Sequence, residues 1–251
     1  DPHRRFTVEL KHRHTLGVIG GLGPIATSYF MELVIKMTDA GIDQEHINMI
    51  IYSRPDIPDR TEYILDNTKP DPLPEIVKIG HELSRQNVDF IAVPCITAHY
   101  FYDALTKEIK TPIINIVTET VDYLYKNGIK RVGIMATDGT VKSGLFQNAL
   151  TAKGMEAVVP SSENQKAVMS LIYDCIKADK PADMEKFIEV KKELVSCGCE
   201  SIILGCTELS LIKRDNDIGS GFIDAMEVLA LQSIQSCGAY VKKVYDNLIT
   251  K

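Results

Sequence analysis

The sequence predicts an α/β fold of two pseudo-symmetric α/β domains with mostly parallel sheets, and three observations predict it. From residue 15 onward, short apolar runs alternate with segments of helical period, the pattern of βα units. The pattern then restarts: residues 16–24 correspond to 132–140, and 89–99 to 200–210. Each repeat also closes a buried strand with a cysteine at nearly the same distance from its first strand. Val18 to Cys95 is 77 positions and Val132 to Cys206 is 74.

The elements follow in order. Residues 16–19 read as a buried strand, followed by Gly20-Gly21-Leu22-Gly23-Pro24. Pro24 suits a first helical turn, and residues 25–38 carry apolar side chains at helical spacing. Residues 48–52 form a second strand. A turn-rich stretch, 53–74, holds five of the eleven prolines and predicts a rim with a movable tip. A helix over 75–86 leads to a strand over 88–93 that ends at Pro94-Cys95. A helix over 97–107, a strand over 112–116 and a helix over 118–126, ended near Gly128, complete the first half. The second half begins with a strand over 131–135 and a helix running through Leu150. Next come a strand near 157–159, helices over 164–177 and 182–197, and a strand over 201–204 ending at Gly205-Cys206-Thr207-Glu208. Residues 222–225 are short and extended, and 227–248 predict a long helical tail. The division expected is 15–117 plus 225–251 for the first domain and 118–224 for the second. Residues 1–14, with three of the six histidines and no regular period, read as a tag or disordered leader.

Composition narrows the function classes. Among 251 residues, 28 Lys+Arg against 34 Asp+Glu give a charge of −6, which disfavours nucleic acid as a partner. No apolar run is long enough for a membrane helix. The six cysteines are irregularly spaced in a chain too long for a stapled miniprotein, so they read as reduced thiols in a cytoplasmic protein. The glycine-rich loop lacks full G-x-G-x-x-G spacing, and no acidic residue ends the 48–52 strand, so a dinucleotide is disfavoured.

Ligands of open α/β sheets bind outside the carboxyl ends of the strands. Cys95 and Cys206 both stand at that edge, so a ligand between facing halves meets one sulfur on each side. A helix starting after each cysteine would favour thiolate. Two opposed sulfurs suit one reaction: a thiolate removes a proton from one face of a carbon and a thiol returns one to the other, inverting the centre.

With these motifs in hand, Gly20-Gly21-Leu22-Gly23-Pro24, Ile57-Pro58-Asp59-Arg60-Thr61, Pro94-Cys95-Ile96-Thr97-Ala98-His99 and Gly205-Cys206-Thr207-Glu208, the chain resembles the cofactor-independent aspartate/glutamate racemase superfamily. It is most similar to the aspartate racemase branch, because the first loop is GGLGP and Glu208 stands where glutamate racemases carry His. The resemblance implies an active site between the two domains, a homodimer, an amino-acid substrate, aspartate first, and neither cofactor nor metal. It implies Cys95 and Cys206 as the catalytic pair, and Gly21, Gly23, Thr97 and Thr207 as carboxylate-binding surfaces. It also points to a lysine for an acidic side chain near Lys166. Arg60 offers a planar fork for the substrate's side-chain carboxylate.

His99, one helical turn after Cys95, either tunes the thiol or closes a local hydrogen-bond network. Glu208 either holds the cleft together or positions a substrate group. The usual Cys-Asn-Thr motif has Ile at position 96 here, which removes an amide from the site. Alternatives are a glutamate or broad-specificity racemase, a maleate isomerase, a hydantoin racemase, or a small-acid-binding protein without turnover. The remaining cysteines, Cys175, Cys197, Cys199 and Cys237, are expected to fill space.

Overall fold

The computed structural model describes residues 13–251. β1 (Thr15–Gly20) is the middle of a three-stranded sheet, between β2 (Asn48–Ser53) and β3 (Phe90–Ala92). All pairing is parallel, with Leu16 opposite both Met49 and Phe90. A second parallel sheet has the order β5-β4-β6-β7, with β4 (Arg131–Met135), β5 (Glu156–Val158), β6 (Ser201–Leu204) and β7 (Phe222–Asp224). β1 beside β3 is thus repeated by β4 beside β6. The central strands are buried along nearly their whole length, as strands covered on both faces must be.

Eleven α-helices connect the strands among the described residues. α1 (Pro24–Met37) follows β1, opening on Pro24. α2 (Arg60–Leu65) and α3 (Leu73–Arg85) precede β3. α4 (Tyr102–Glu108) and α5 (Ile116–Lys126) follow it. α6 (Asp138–Ser143), α7 (Leu145–Ala152), α8 (Ser162–Ser170), α9 (Met184–Ser196), α10 (Thr207–Asp215) and α11 (Ala225–Ser236) belong to the second half of the chain.

Five local expectations are corrected. The 53–74 stretch contains α2, because the Asp59 carboxylate caps it by accepting from Glu62 N at 2.9 Å. The expected strand over 112–116 is a single bridge, Ile113 to Ile91. There Asn115 Oδ1 accepts from the amides of Val117 and Thr118 and starts α5 early. Residues 97–107 open as a 3-10 helix, Thr97–Phe101. The expected helix over 164–177 changes to a π-helical segment, Leu171–Ile176, after α8. The long tail helix stops at α11, since Gly238 takes a left-handed φ of 81° and Ala239 N turns back to Ile234 O. The remaining tail bridges Val241 to Thr38 and pairs Thr250 with Gly221 and Phe222 beside β7.

α11 packs on α1 and α5. One apolar cluster runs through Leu16, Val18, Phe30, Val121, Val132, Ile134, Ile203, Val228 and Leu229, so the two sheets share a core rather than standing on separate ones. Of the four cysteines expected to fill space, Cys237 is fully buried, Cys175 and Cys199 are half-buried, and Cys197 is exposed at the end of α9, where it fills nothing.

Candidate active site

The loop after each first strand is shaped by close approach. Gly21 has a φ of 90°, and a side chain there would fall onto the Arg54 backbone. Its amide donates to Thr27 Oγ1 at 2.9 Å, and that hydroxyl donates on to Gly23 O at 3.1 Å. The corresponding loop in the second half is held by Thr137, which caps α6. There a Cβ on Gly139 would sit 3.0 Å from Thr61 Oγ1 and 3.2 Å from Thr97 Cγ2. The two halves therefore meet backbone to side chain at Gly139. α2 packs on α6 across the same seam. Three buried hydroxyls close it: Thr97 with Thr137 at 2.8 Å, and Thr140 with each at 3.2 Å.

Behind this seam lies a chamber lined by Cys95, Ile96 and Thr97 from the first half and Thr137, Tyr173, Lys177, Cys206, Thr207 and Glu208 from the second. Arg60, Thr61 and Leu22 complete it. Its free volume is about 10 Å³, room for roughly one water molecule. Both cysteines are 6% exposed. Cys95 follows β3, and Cys206 is the residue that caps α10. The helix expected after Cys95 is only the 3-10 turn. Beyond the chamber opens a cleft of about 1080 Å³, which shares Arg60, Lys177 and Glu208 with it.

Charge in the chamber is unevenly distributed. The Cys206 thiol donates to Glu208 Oε2 at 3.0 Å, and Lys177 Nζ donates to Glu208 Oε1 at 2.8 Å. Burial pushes the Cys206 thiol well up, and the negative Glu208 pushes it further. Glu208 itself lies below the ordinary carboxylate range: burial opposes its charge, but Lys177 and the hydrogen bonds outweigh that. Lys177 is held firmly protonated, the Glu208 carboxylate overcoming its burial. On the other wall, Arg60 is 9% exposed. Its Nη1 donates to Pro58 O at 3.2 Å, and its Nε is buried without a hydrogen-bond partner among the described residues. Burial works against the guanidinium, but Cys95 and Asp59 more than restore its charge. Tyr173 donates to Asp59 Oδ2 at 2.9 Å, linking the two walls, and burial followed by Asp59 drives its hydroxyl far up.

The structure gathers Cys95, Cys206, Arg60, Thr97, Thr207 and Glu208 into this chamber. Gly21 and Gly23 line the outer cleft instead, and the Gly21 amide is already engaged by Thr27. Lys166 is exposed on α8 and lines neither space. The lysine in the chamber is Lys177, which the sequence reading did not single out. It ends the expected helix, where a lysine reads as ordinary compensation of the helix dipole. The π-helical turn also shifts the facing of residues after Ser170, so a helical wheel misplaces both Tyr173 and Lys177. Among the described residues no group of three or more His, Cys, Asp or Glu is arranged to hold a metal ion.

His99 turns away from the chamber. Its Nδ1 bonds Cys95 O at 2.8 Å and its Nε2 accepts from Ile116 N at 3.4 Å, so the neutral ring braces the Cys95 loop. Burial lowers its pKa from 6.5 to about 4. The folded value lies below the unfolded one, so His99's contribution is complete above pH 6.5 and lost as pH falls through about 4. At most roughly 3 kcal/mol is at stake. Urea unfolding at about pH 7 and about pH 4.5 should therefore show a steeper loss for the wild type than for His99→Gln. Equal losses would assign the acid sensitivity elsewhere.

Comparison with known proteins agrees along the chain. A family model described as Asp/Glu/Hydantoin racemase matches residues 19–232. The chain is 28% identical over 230 residues to the broad specificity amino-acid racemase RacX of Bacillus subtilis, covering 90% of this chain and 99% of that one. It is 31% identical over 135 residues to the glutamate racemase of Aquifex aeolicus, about half of each chain. Among solved structures, the Picrophilus torridus aspartate racemase superposes with a TM-score of 0.78 at 32% identity, over 92% of this chain and 97% of that one.

Proposed function

Since this chain belongs to the Asp/Glu/hydantoin racemase family and is an amino-acid racemase of that kind, we propose that it inverts Cα by a two-thiol mechanism, with aspartate as its first substrate. The observation that carries the reading is the placement of Cys95 and Cys206, one from each half, in a single chamber with Arg60 and Lys177. One sulfur takes the Cα proton as thiolate, and the other delivers a proton to the opposite face as thiol. Removing a Cα proton places charge on the carbanion and its carboxylate, which a fixed cation stabilises. Arg60, whose buried Nε lacks a hydrogen-bond partner among the described residues, suits the α-carboxylate. Lys177 suits the second carboxylate once Glu208 yields it. Thr97 and Thr207 offer hydroxyls beside the two sulfurs.

The chamber is too small for an amino acid as it stands, so admission requires its walls to part. The side-chain contacts that join the two walls are Tyr173 with Asp59 and Thr97 with Thr137 and Thr140, while the Lys177–Glu208 pair lies within one wall and holds the lysine away from a substrate. A homodimer is part of the same proposal, with exposed Ile25, Met31 and Ile35 on α1 as apolar surface for a second copy. So is a reducing, cytoplasmic setting, because the chemistry needs both sulfurs free.

The test is incubation with L- or D-aspartate in heavy water. Deuterium should enter Cα and the opposite enantiomer should accumulate, as read by NMR and chiral chromatography. Absence of both sinks the aspartate assignment. A second reading, broad specificity, is favoured by Ile96 in the chamber wall and by the roomy outer cleft that shares Arg60 and Lys177 with it. Exchange with amino acids bearing long uncharged side chains, faster than with aspartate, would select it.

A further inference from the structure

The two chamber sulfurs do not stand in equivalent surroundings. Cys206 faces a carboxylate that accepts its S–H at 3.0 Å, and Glu208 is only 2% exposed. The same carboxylate also accepts from Thr207 Oγ1 at 3.3 Å and from Lys177 at 2.8 Å. Among the described residues no carboxylate oxygen lies within hydrogen-bond distance of the Cys95 sulfur, which interacts instead with the Arg60 guanidinium. His99, four residues on, is turned to the Cys95 carbonyl and stays neutral. The charged and titratable groups around Cys206 are thus Glu208, Lys177 and Tyr173 on its own wall, with Cys95, Arg60 and Asp59 opposite.

We infer that Glu208 is a positioning residue that pins the proton on Cys206, so that in the empty protein Cys206 is the thiol and Cys95 the sulfur available as base. This rests on the two-thiol reading and assigns its starting state. A hydrogen bond to an ionised acceptor is strong only while the donor keeps its proton. Ionising Cys206 would break that bond and bring two anions together in a buried site. Lys177 keeps Glu208 ionised and so keeps it an acceptor. In turnover Cys95 takes the Cα proton, the C–H electron pair passes to the carbanion, and the Cys206 proton is transferred to the opposite face. The thiolate is then on Cys206, against Glu208, and the resting arrangement is restored by proton exchange with solvent. The burial that raises the Cys206 thiol acts in the same direction.

The test measures the sulfurs directly. Iodoacetamide is applied under single-hit conditions across a pH series, and adducts at Cys95 and Cys206 are counted by peptide mass spectrometry. In the wild type Cys206 should react slowly near neutral pH and gain rate only in the alkaline part of the series. Glu208→Gln keeps the shape but can turn an amide N–H toward the sulfur, which favours thiolate. It should raise the Cys206 rate near neutral pH roughly tenfold or more, one pH unit of profile per factor of ten. The Cys95 rate in the same molecules should be unchanged, and Glu208→Asp should return the Cys206 profile part of the way. An unmoved Cys206 profile overturns the inference. So does a parallel rise at both cysteines, which reports only a loosened chamber. The same samples are assayed for aspartate exchange. Expected alkylation without any exchange would refute the aspartate assignment while leaving the Glu208–Cys206 pairing intact.

Discussion

Replacing either Cys95 or Cys206 with serine is expected to lower racemisation by roughly a thousandfold, the scale on which a positioned acid or base acts. Serine fills nearly the same space, and both positions are buried at 6% exposure, so the chamber should persist. The chemistry changes because a hydroxyl is far less acidic than a thiol and cannot serve as the base near neutral pH. The two variants should fail differently. With Cys206 replaced, Cys95 can still remove and return the Cα proton of the one enantiomer that faces it. Deuterium then enters that enantiomer without inversion. With Cys95 replaced, wash-in without inversion should be confined to the other enantiomer. Opposite handedness of this residual exchange is the signature of two bases on opposite faces. Exchange of both enantiomers by one variant would mean that a single group serves both faces, and undiminished racemisation by either would remove that cysteine from the mechanism.

How much of this could be read from the chain depends on range. The Cys95 and Cys206 placements were legible, because each follows an apolar strand and the repeat puts each at the carboxyl edge of its own sheet. Parallel strands such as 131–135 and 201–204 announce themselves by continuous burial, and they are found there. What was not legible depends on geometry that a few residues alter. Asp59 makes a helix in a proline-rich stretch by one cap. Gly238 ends a helix whose apolar content continues beyond it. The chamber's lysine is Lys177, eleven positions after Lys166 and just past a π-helical segment whose facing a regular helical pattern does not give. The Gly21 amide, in a loop expected to hold a carboxylate, turned out to serve Thr27, a partner six residues away. Glu208 illustrates the general case. Its place two residues after Cys206 was visible, but its joining the sulfur to Lys177 depends on a contact 31 residues apart in sequence.

Arg60 gives the second large effect. Arg60→Met should cut kcat/KM for the substrate by roughly a hundredfold to a thousandfold, on the order of 3–4 kcal/mol for losing a bidentate, charge-assisted anchor inside a dry site. Arg60 opens α2 and its side chain is folded into the chamber wall. The loss should come with little change in circular dichroism, because the hydrogen bonds Arg60 gives the backbone run from Nη1 to the nearby Ile57 and Pro58 carbonyls, and its other partner is the Cys95 side chain. Arg60→Lys keeps a charge but not the planar fork, so it should fall between the wild type and Arg60→Met. Both KM and kcat should worsen, since the carboxylate is held in the ground state and gains negative charge as the carbanion forms. Lys166→Met, on the exposed face of α8, should leave both constants unchanged. Lys177→Met should raise KM for aspartate more than for an amino acid with an uncharged side chain, if Lys177 takes the second carboxylate. Equal losses for both substrates would give Lys177 to the chamber's internal balance with Glu208 alone. An Arg60→Met protein with normal kcat/KM would place the α-carboxylate elsewhere, and Lys177 would then be the cation left in the chamber to receive it.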